Sequence, residues 1–190
     1  MTAVETWVLP DRGRVGIVAL IVAETAVFTI FVVAYLYYIG KSLSGPTPAE
    51  VLDLPVVVSI LLWSSSLTIN LAVRALRGGL VQTFALWWFL TILLGTLFLV
   101  GTGTEWYRLI VHHGLTIRTN LFGTTFYSLV GLHASHVIVG LLLMTVALVL
   151  ALGGHVNATH APRTEVLSLY WHFVDAVWVA VFLVVYVVGG

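Results

Sequence analysis

Five ionisable side chains interrupt long apolar stretches of this chain: Glu24, His133, His136, His172 and Asp175. Such groups at mid-membrane depth cost several kcal/mol unless they find a partner, so they mark places where chemistry or specific pairing occurs. Glu24 falls near the middle of its stretch at ~1.5 Å of rise per residue. It reads either as a protonatable group on a proton or ligand path, or as a neutral acid that fixes helix packing by a hydrogen bond. His133 and His136 are three residues apart, a spacing that shares one helix face. Gly131, Ala134, Ser135 and Gly140 surround them and allow a neighbouring helix to come close. A metal or haem site is the sharper reading of this pair. Zinc-binding helices, however, space their histidines by four, and a di-iron bundle needs several Glu and Glu-x-x-His ligands. The chain has no Glu-x-x-His, so hydrogen bonding between helices is the favoured reading. His172 and Asp175 repeat the spacing of three in a later stretch, and each is the other's local candidate partner. All five groups fall at comparable depths, which predicts one interhelical polar cluster.

Helices must position these groups, and lipid must surround the helices. Charged residues make up 8% of the chain and hydrophobic residues 60%, against roughly 25% charged in soluble domains. A spanning helix takes about 20 apolar residues. The apolar runs predict an all-α, polytopic transmembrane bundle forming a single membrane domain over 1–190, with spans near 15–39, 56–76, 83–103, 121–152 and 164–188. The runs are continuous rather than alternating, which argues against a β-barrel. Gly45, Pro46, Pro48 and Pro55 mark the first loop, and Gly78 with Gly79 marks a short turn. The segment from Glu105 to Asn120 reads as a polar connection, with Glu105 at an interfacial helix end.

The chain lacks cysteine, which removes thiolate metal sites and iron–sulfur clusters. No basic run points to nucleic acid. The N-terminal residues, with Glu5 and Asp11 beside Arg12 and Arg14, do not resemble a signal peptide, and the first apolar run reads as a retained span. Arg12, Arg14, Arg74, Arg77 and Arg163 fall on one side of a five-span bundle, and Lys41, Arg108 and Arg118 on the other. That balance favours a cytoplasmic N-terminus. Trp7, Trp87, Trp106 and Tyr107 fall near span ends, as interfacial anchors do. Asn70 and the run Trp63-Ser-Ser-Ser66 carry no assigned chemistry, because serines in a span usually bond back to their own helix.

The segment Tyr170-Trp-His-Phe-Val-Asp-Ala-Val-Trp178 closely resembles the final helix of subunit III of haem–copper terminal oxidases. Phe126-Tyr-Ser-Leu-Val-Gly-Leu-His-Ala-Ser-His-Val-Ile-Val-Gly140 is similar to the preceding helix of that family, with its Gly-x-His-x-x-His-Val-x-x-Gly pattern. Glu24 lies in Ala23-Glu-Thr-Ala-Val-Phe-Thr-Ile-Phe-Val-Val-Ala-Tyr35, similar to the family helix with a buried glutamate, and Glu105-Trp-Tyr107 is similar to a short Glu–aromatic segment. The order and extent of these matches resemble the five-span bacterial form.

The resemblance implies a non-redox subunit of a cytochrome c oxidase in the bacterial plasma (inner) membrane. It would pack against subunit I, and with subunit II, in a respiratory complex that reduces O2 and moves protons. Haem and copper would lie in the partner subunits and none in this chain. Bound phospholipid is implied, as is support of proton uptake and sustained turnover. Cytochrome c or a quinol would be the electron donor. Glu24, His133, His136, His172 and Asp175 would be structural or proton-related, none of them catalytic. Trp171, Trp178 and Glu105 are the candidates for partner or lipid contact. A quinol oxidase subunit or a nitric oxide reductase accessory protein would share the fold. From other classes, an independent proton-coupled transporter would use Glu24 and Asp175, and a membrane metalloenzyme would need bound metal.

Overall fold

The computed structural model of the protein describes residues 12–190. Trp7, expected as an interfacial anchor, lies outside the described residues, as do Glu5 and Asp11. Among the described residues, five helices are long and apolar enough to cross a membrane. They are α1 (Arg12–Tyr38), α3 (Val56–Arg77), α4 (Val81–His113), α5 (Leu121–Leu152) and α6 (Ala161–Phe182). A short α2 (Pro48–Val51) sits in the first loop. A 3-10 turn (Ala158–His160) leads into α6, and a π-helical segment (Leu183–Val188) continues it.

α3, α4, α5 and α6 form a four-helix ring in which each helix packs on the next and α6 closes onto α3. α1 lies outside the ring against α5 and α6. Gly78 and Gly79 turn α3 back onto α4, the most extensive pairing in the fold. A Thr68–Thr91 hydroxyl contact of 2.7 Å ties the two helices. The ring interior is filled by Phe84, Trp88, Phe98, Phe126, Trp171 and Trp178, all buried. The many exposed apolar side chains of α1 and the outer faces are what a lipid solvent requires, since their backbone groups are already bonded within helices.

α4 does not stop near residue 103. It continues through Glu105, Arg108 and both His112 and His113, because nothing after Gly103 breaks the helix until Gly114. There φ reaches +63°, a conformation glycine adopts without steric cost. The Leu115 amide then bonds back to the Leu109 carbonyl at 2.9 Å, closing the end. Asn120 caps α5 by accepting from the Gly123 amide at 2.8 Å. Its Nδ2 donates to the carbonyls of Ser44 and Pro46, which anchors the first loop to the start of α5.

Arg14 at the start of α1 and Arg77 at the end of α3 both bond Glu165 near the start of α6, at 2.7 and 2.8 Å. The ends grouped by the loop-charge reading therefore meet at one end of the bundle.

Candidate functional site

The polar side chains of α6 meet a polar face on α3. The helices run antiparallel, so the order of partners reverses. Trp178 Nε1 donates to Ser59 Oγ at 3.0 Å, and Trp171 Nε1 donates to Ser65 Oγ at 2.8 Å. Asp175 Oδ2 and His172 Nδ1 both contact Ser66 Oγ, at 2.5 and 3.1 Å. His172 Nε2 faces Asn70 Oδ1 at 3.2 Å. His172 and Asp175 thus come together through Ser66 rather than by a direct bond. The serines and Asn70, which the sequence reading left without chemistry, are the partners. Their spacing was the available signal: residues 59, 66 and 70 recur at helical intervals on one face, as 171, 175 and 178 do on α6.

Trp171 and Trp178 are each 1% exposed, so neither indole presents itself to lipid or to a partner surface. Trp171 spans the middle of the ring. A Cβ added at Gly95 of α4 would lie 2.8 Å from its ring, and one at Gly140 of α5 would lie 2.9 Å from it. The two glycines hold open the slot that the indole fills.

Glu24 pairs with His136. Oε2 lies 3.2 Å from Nε2, and the two side chains are 26% and 15% exposed. The His136 Nδ1 sits 2.9 Å from the Leu132 carbonyl. A carbonyl only accepts, so Nδ1 carries a hydrogen. One further proton between Nε2 and the carboxyl completes the contact, and the pair is then net neutral wherever that proton sits. Phe28 covers His136 with ring centroids 5.0 Å apart, and the Tyr170 hydroxyl donates to the His136 carbonyl at 3.1 Å. The pair lines a groove of about 440 Å³ between α1, α5 and α6, whose other walls include Leu20, Val139, Leu143 and Leu167.

The expected single cluster is divided. Glu24 and His136 lie on the α1 side of the ring, His172 and Asp175 on the α3 side, and no hydrogen bond joins them among the described residues. α6 itself stands between the two groups. His133 does not share a surface with His136 despite the spacing of three. It is fully buried and stacks on Trp178, with centroids 5.1 Å apart, while Phe98 meets it edge-on. Neither of its ring nitrogens has a hydrogen-bond partner among the described residues. Among the described residues no three His, Asp or Glu side chains converge as a metal-ligand set.

Glu105 lies inside α4, not at an interfacial helix end. Its Oε2 accepts from the Tyr186 hydroxyl at 2.9 Å. It lines a groove between α3 and α4 with Thr104 and the Asp53–Arg108 ion pair.

The model of the cytochrome c oxidase subunit III family matches residues 5–190. The chain belongs to the cytochrome c oxidase subunit III family. It is 38% identical over 168 residues to cytochrome c oxidase subunit 3 of Alkalihalophilus pseudofirmus, covering 87% of this chain and 82% of that one. It is 39% identical over 170 residues to the same subunit of a Bacillus species, strain PS3, covering 87% and 81%. A probable quinol oxidase subunit 3 of Staphylococcus saprophyticus is 30% identical over 182 residues, covering 94% and 90%. The resemblance seen in the α5 and α6 motifs thus holds over nearly the whole chain, which is a multi-pass membrane subunit III of the haem–copper oxidase type.

Proposed function

We propose that this chain is the redox-inactive subunit of a bacterial plasma-membrane oxidase complex, packed against subunit I, with haem and copper held by subunits I and II. The observation that carries the reading is how its mid-span ionisable groups are used. Glu24 with His136, and Asp175 with His172 through Ser66, are engaged in net-neutral contacts between helices, and His133 is packed between aromatic rings. Such groups hold helices in register and keep protons in the membrane, and the redox chemistry belongs to the partners. The α1–α5–α6 groove suits a phospholipid acyl chain. A second groove of about 340 Å³ has apolar walls from α5 and α6 and places His155, His160 and Arg163 at one end, where a lipid phosphate is accommodated. The end that carries Arg14, Arg77 and Arg163 faces the cytoplasm.

The test is purification of the tagged chain in mild detergent, with an optical spectrum and mass spectrometry of what accompanies it. A haem spectrum and a large many-span subunit are expected. A colourless chain, stable alone, would transfer the reading to a small transporter. Cytochrome c is the donor named by most of the relatives above, and the Staphylococcus relative supports a quinol as the alternative. Which reduced donor the purified complex oxidises separates the two.

A Glu24→Gln exchange tests proton handling. The amide keeps a hydrogen-bonding group toward His136, so the complex is expected to assemble in normal yield. Loss of the exchangeable proton slows steady-state oxidase turnover several-fold. Normal turnover in the assembled variant removes Glu24 from any proton route.

A further inference from the structure

We infer that Asp175, Ser66, His172 and Asn70 form a one-proton site, in which a single proton is held between Asp175 and His172 and passes between them through the Ser66 hydroxyl. All four residues belong to α3 and α6, so the inference does not rest on the identity of the oxidase partners.

The geometry fixes the hydrogens step by step. Asn70 Nδ2 lies 2.9 Å from the Ser66 carbonyl. A carbonyl only accepts, so the amide nitrogen must face it, and Oδ1 must face the imidazole. Oδ1 also only accepts, so His172 Nε2, at 3.2 Å, carries a hydrogen. The tautomer of the neutral ring is thereby set, with Nδ1 bare and directed at Ser66 Oγ.

Ser66 has one hydroxyl hydrogen and two neighbours, Nδ1 and Asp175 Oδ2. If the hydroxyl donates to Nδ1, its oxygen accepts from Asp175, which is then a carboxylic acid. If it donates to Asp175, it accepts from Nδ1–H, so His172 is an imidazolium and Asp175 a carboxylate. The two arrangements contain the same protons and differ only in where two hydrogens sit along the chain. Moving from the first to the second, the Asp175 proton passes to Ser66 Oγ while the Ser66 proton passes to Nδ1. No bond between heavy atoms changes and no side chain rotates. Both arrangements are net neutral, as a site in low dielectric requires. With one proton more, both neighbours donate to Ser66 and its own hydrogen loses its acceptor. With one fewer, two acceptors compete for one hydrogen. The first departure strands the Ser66 hydrogen and leaves a net charge, and the second breaks a bond of the chain.

A cavity joins the site to one end of the bundle. Asp175 is 8% exposed, whereas His172 and Asn70 line a cavity of about 400 Å³ that ends at Arg14, Arg77 and Glu165. These are the charged groups facing His172 from α1, α3 and α6. Glu24, His133 and His136 face α6 from its other sides. Exchange of the proton with water therefore proceeds from the Glu165 end, through His172.

The test uses the full chain in its complex, in lipid bilayers, with 15N-labelled histidine and infrared detection of the carboxyl band lost in Asp175→Asn. Across mildly acid to mildly alkaline pH, Nε2 of His172 is expected to stay protonated. The Asp175 acid signal and the His172 imidazolium signal together are expected to account for one proton throughout. Ser66→Ala splits them into two independent titrations, and Ser66→Thr, which keeps the hydroxyl, does not. A bare Nε2, simultaneous acid and imidazolium, or a Ser66→Ala complex identical to the parent would each overturn the site. If Ser66→Ala fails to assemble, the spectra of the unmodified complex decide.

Discussion

Trp171→Ala is expected to destabilise the bundle by about 3–5 kcal/mol, the range for removing a large buried aromatic side chain. The indole touches all three ring helices besides its own. It bonds Ser65 on α3 and fills the slot between Gly95 on α4 and Gly140 on α5. In lipid the hydrophobic driving force between helices is weak, so packing and hydrogen bonds hold the ring together. The alanine variant loses both at its centre, and the glycines that made room for the ring leave a cavity that neighbouring side chains cannot close. Trp171→Phe keeps much of the contact but not the bond to Ser65, and its loss is smaller. Unfolding of the purified complex by SDS titration from mild detergent measures both. An alanine variant within about 1 kcal/mol of the parent, the scale of an ordinary substitution, would show that the ring closes without this wedge.

Asp175→Leu is expected to reduce stability by about 1–3 kcal/mol, the cost of leaving buried polar groups without a partner. Ser66 Oγ loses its Asp175 partner and keeps only His172, and the leucine cannot replace that bond. Asp175→Asn is expected to cost less than about 1 kcal/mol, because the amide nitrogen donates to Ser66 as the carboxylic acid does, in a side chain of the same shape. The same titration, together with the yield of assembled complex, gives the comparison. Equal tolerance of the two variants would mean that the α3–α6 polar ladder contributes nothing to packing.

Much of this architecture was legible in the sequence because lipid imposes a simple rule. Continuous apolar runs must be helices that satisfy their own backbone, so five spans could be placed from composition. Where the rule is silent, the reading failed. The charges from Glu105 to Asn120 predict a polar connection with Glu105 at an interfacial helix end, but α4 extends beyond the apolar thickness and keeps its helical bonds until Gly114. The spacing of three between His133 and His136 predicts one shared face. On a crowded helix, however, such a separation is enough to direct one ring into the core and the other toward α1. Depth along a span could be counted from the sequence, whereas the direction of a side chain around the helix depends on which neighbours it meets. That is why five groups at similar depth became two sets. The α6 motif was recognisable by itself, but Ser59, Ser65, Ser66 and Asn70 became informative only once antiparallel packing set them opposite it.

The position of α1 outside the ring bears on how the chain is made. This helix precedes the ring helices along the chain, yet its polar partners lie far downstream: His136 is 112 residues beyond Glu24, and Glu165 is 151 beyond Arg14. At the ~5–20 residues per second of synthesis, about 6–22 s separate the synthesis of Glu24 from that of its histidine. During that interval α1 must be retained by an insertase, or float as a single helix bearing a protonated acid. α1 cannot complete its contacts until α5 and α6 exist, and a pulse-chase measurement should find its protease protection developing only after both have entered the membrane.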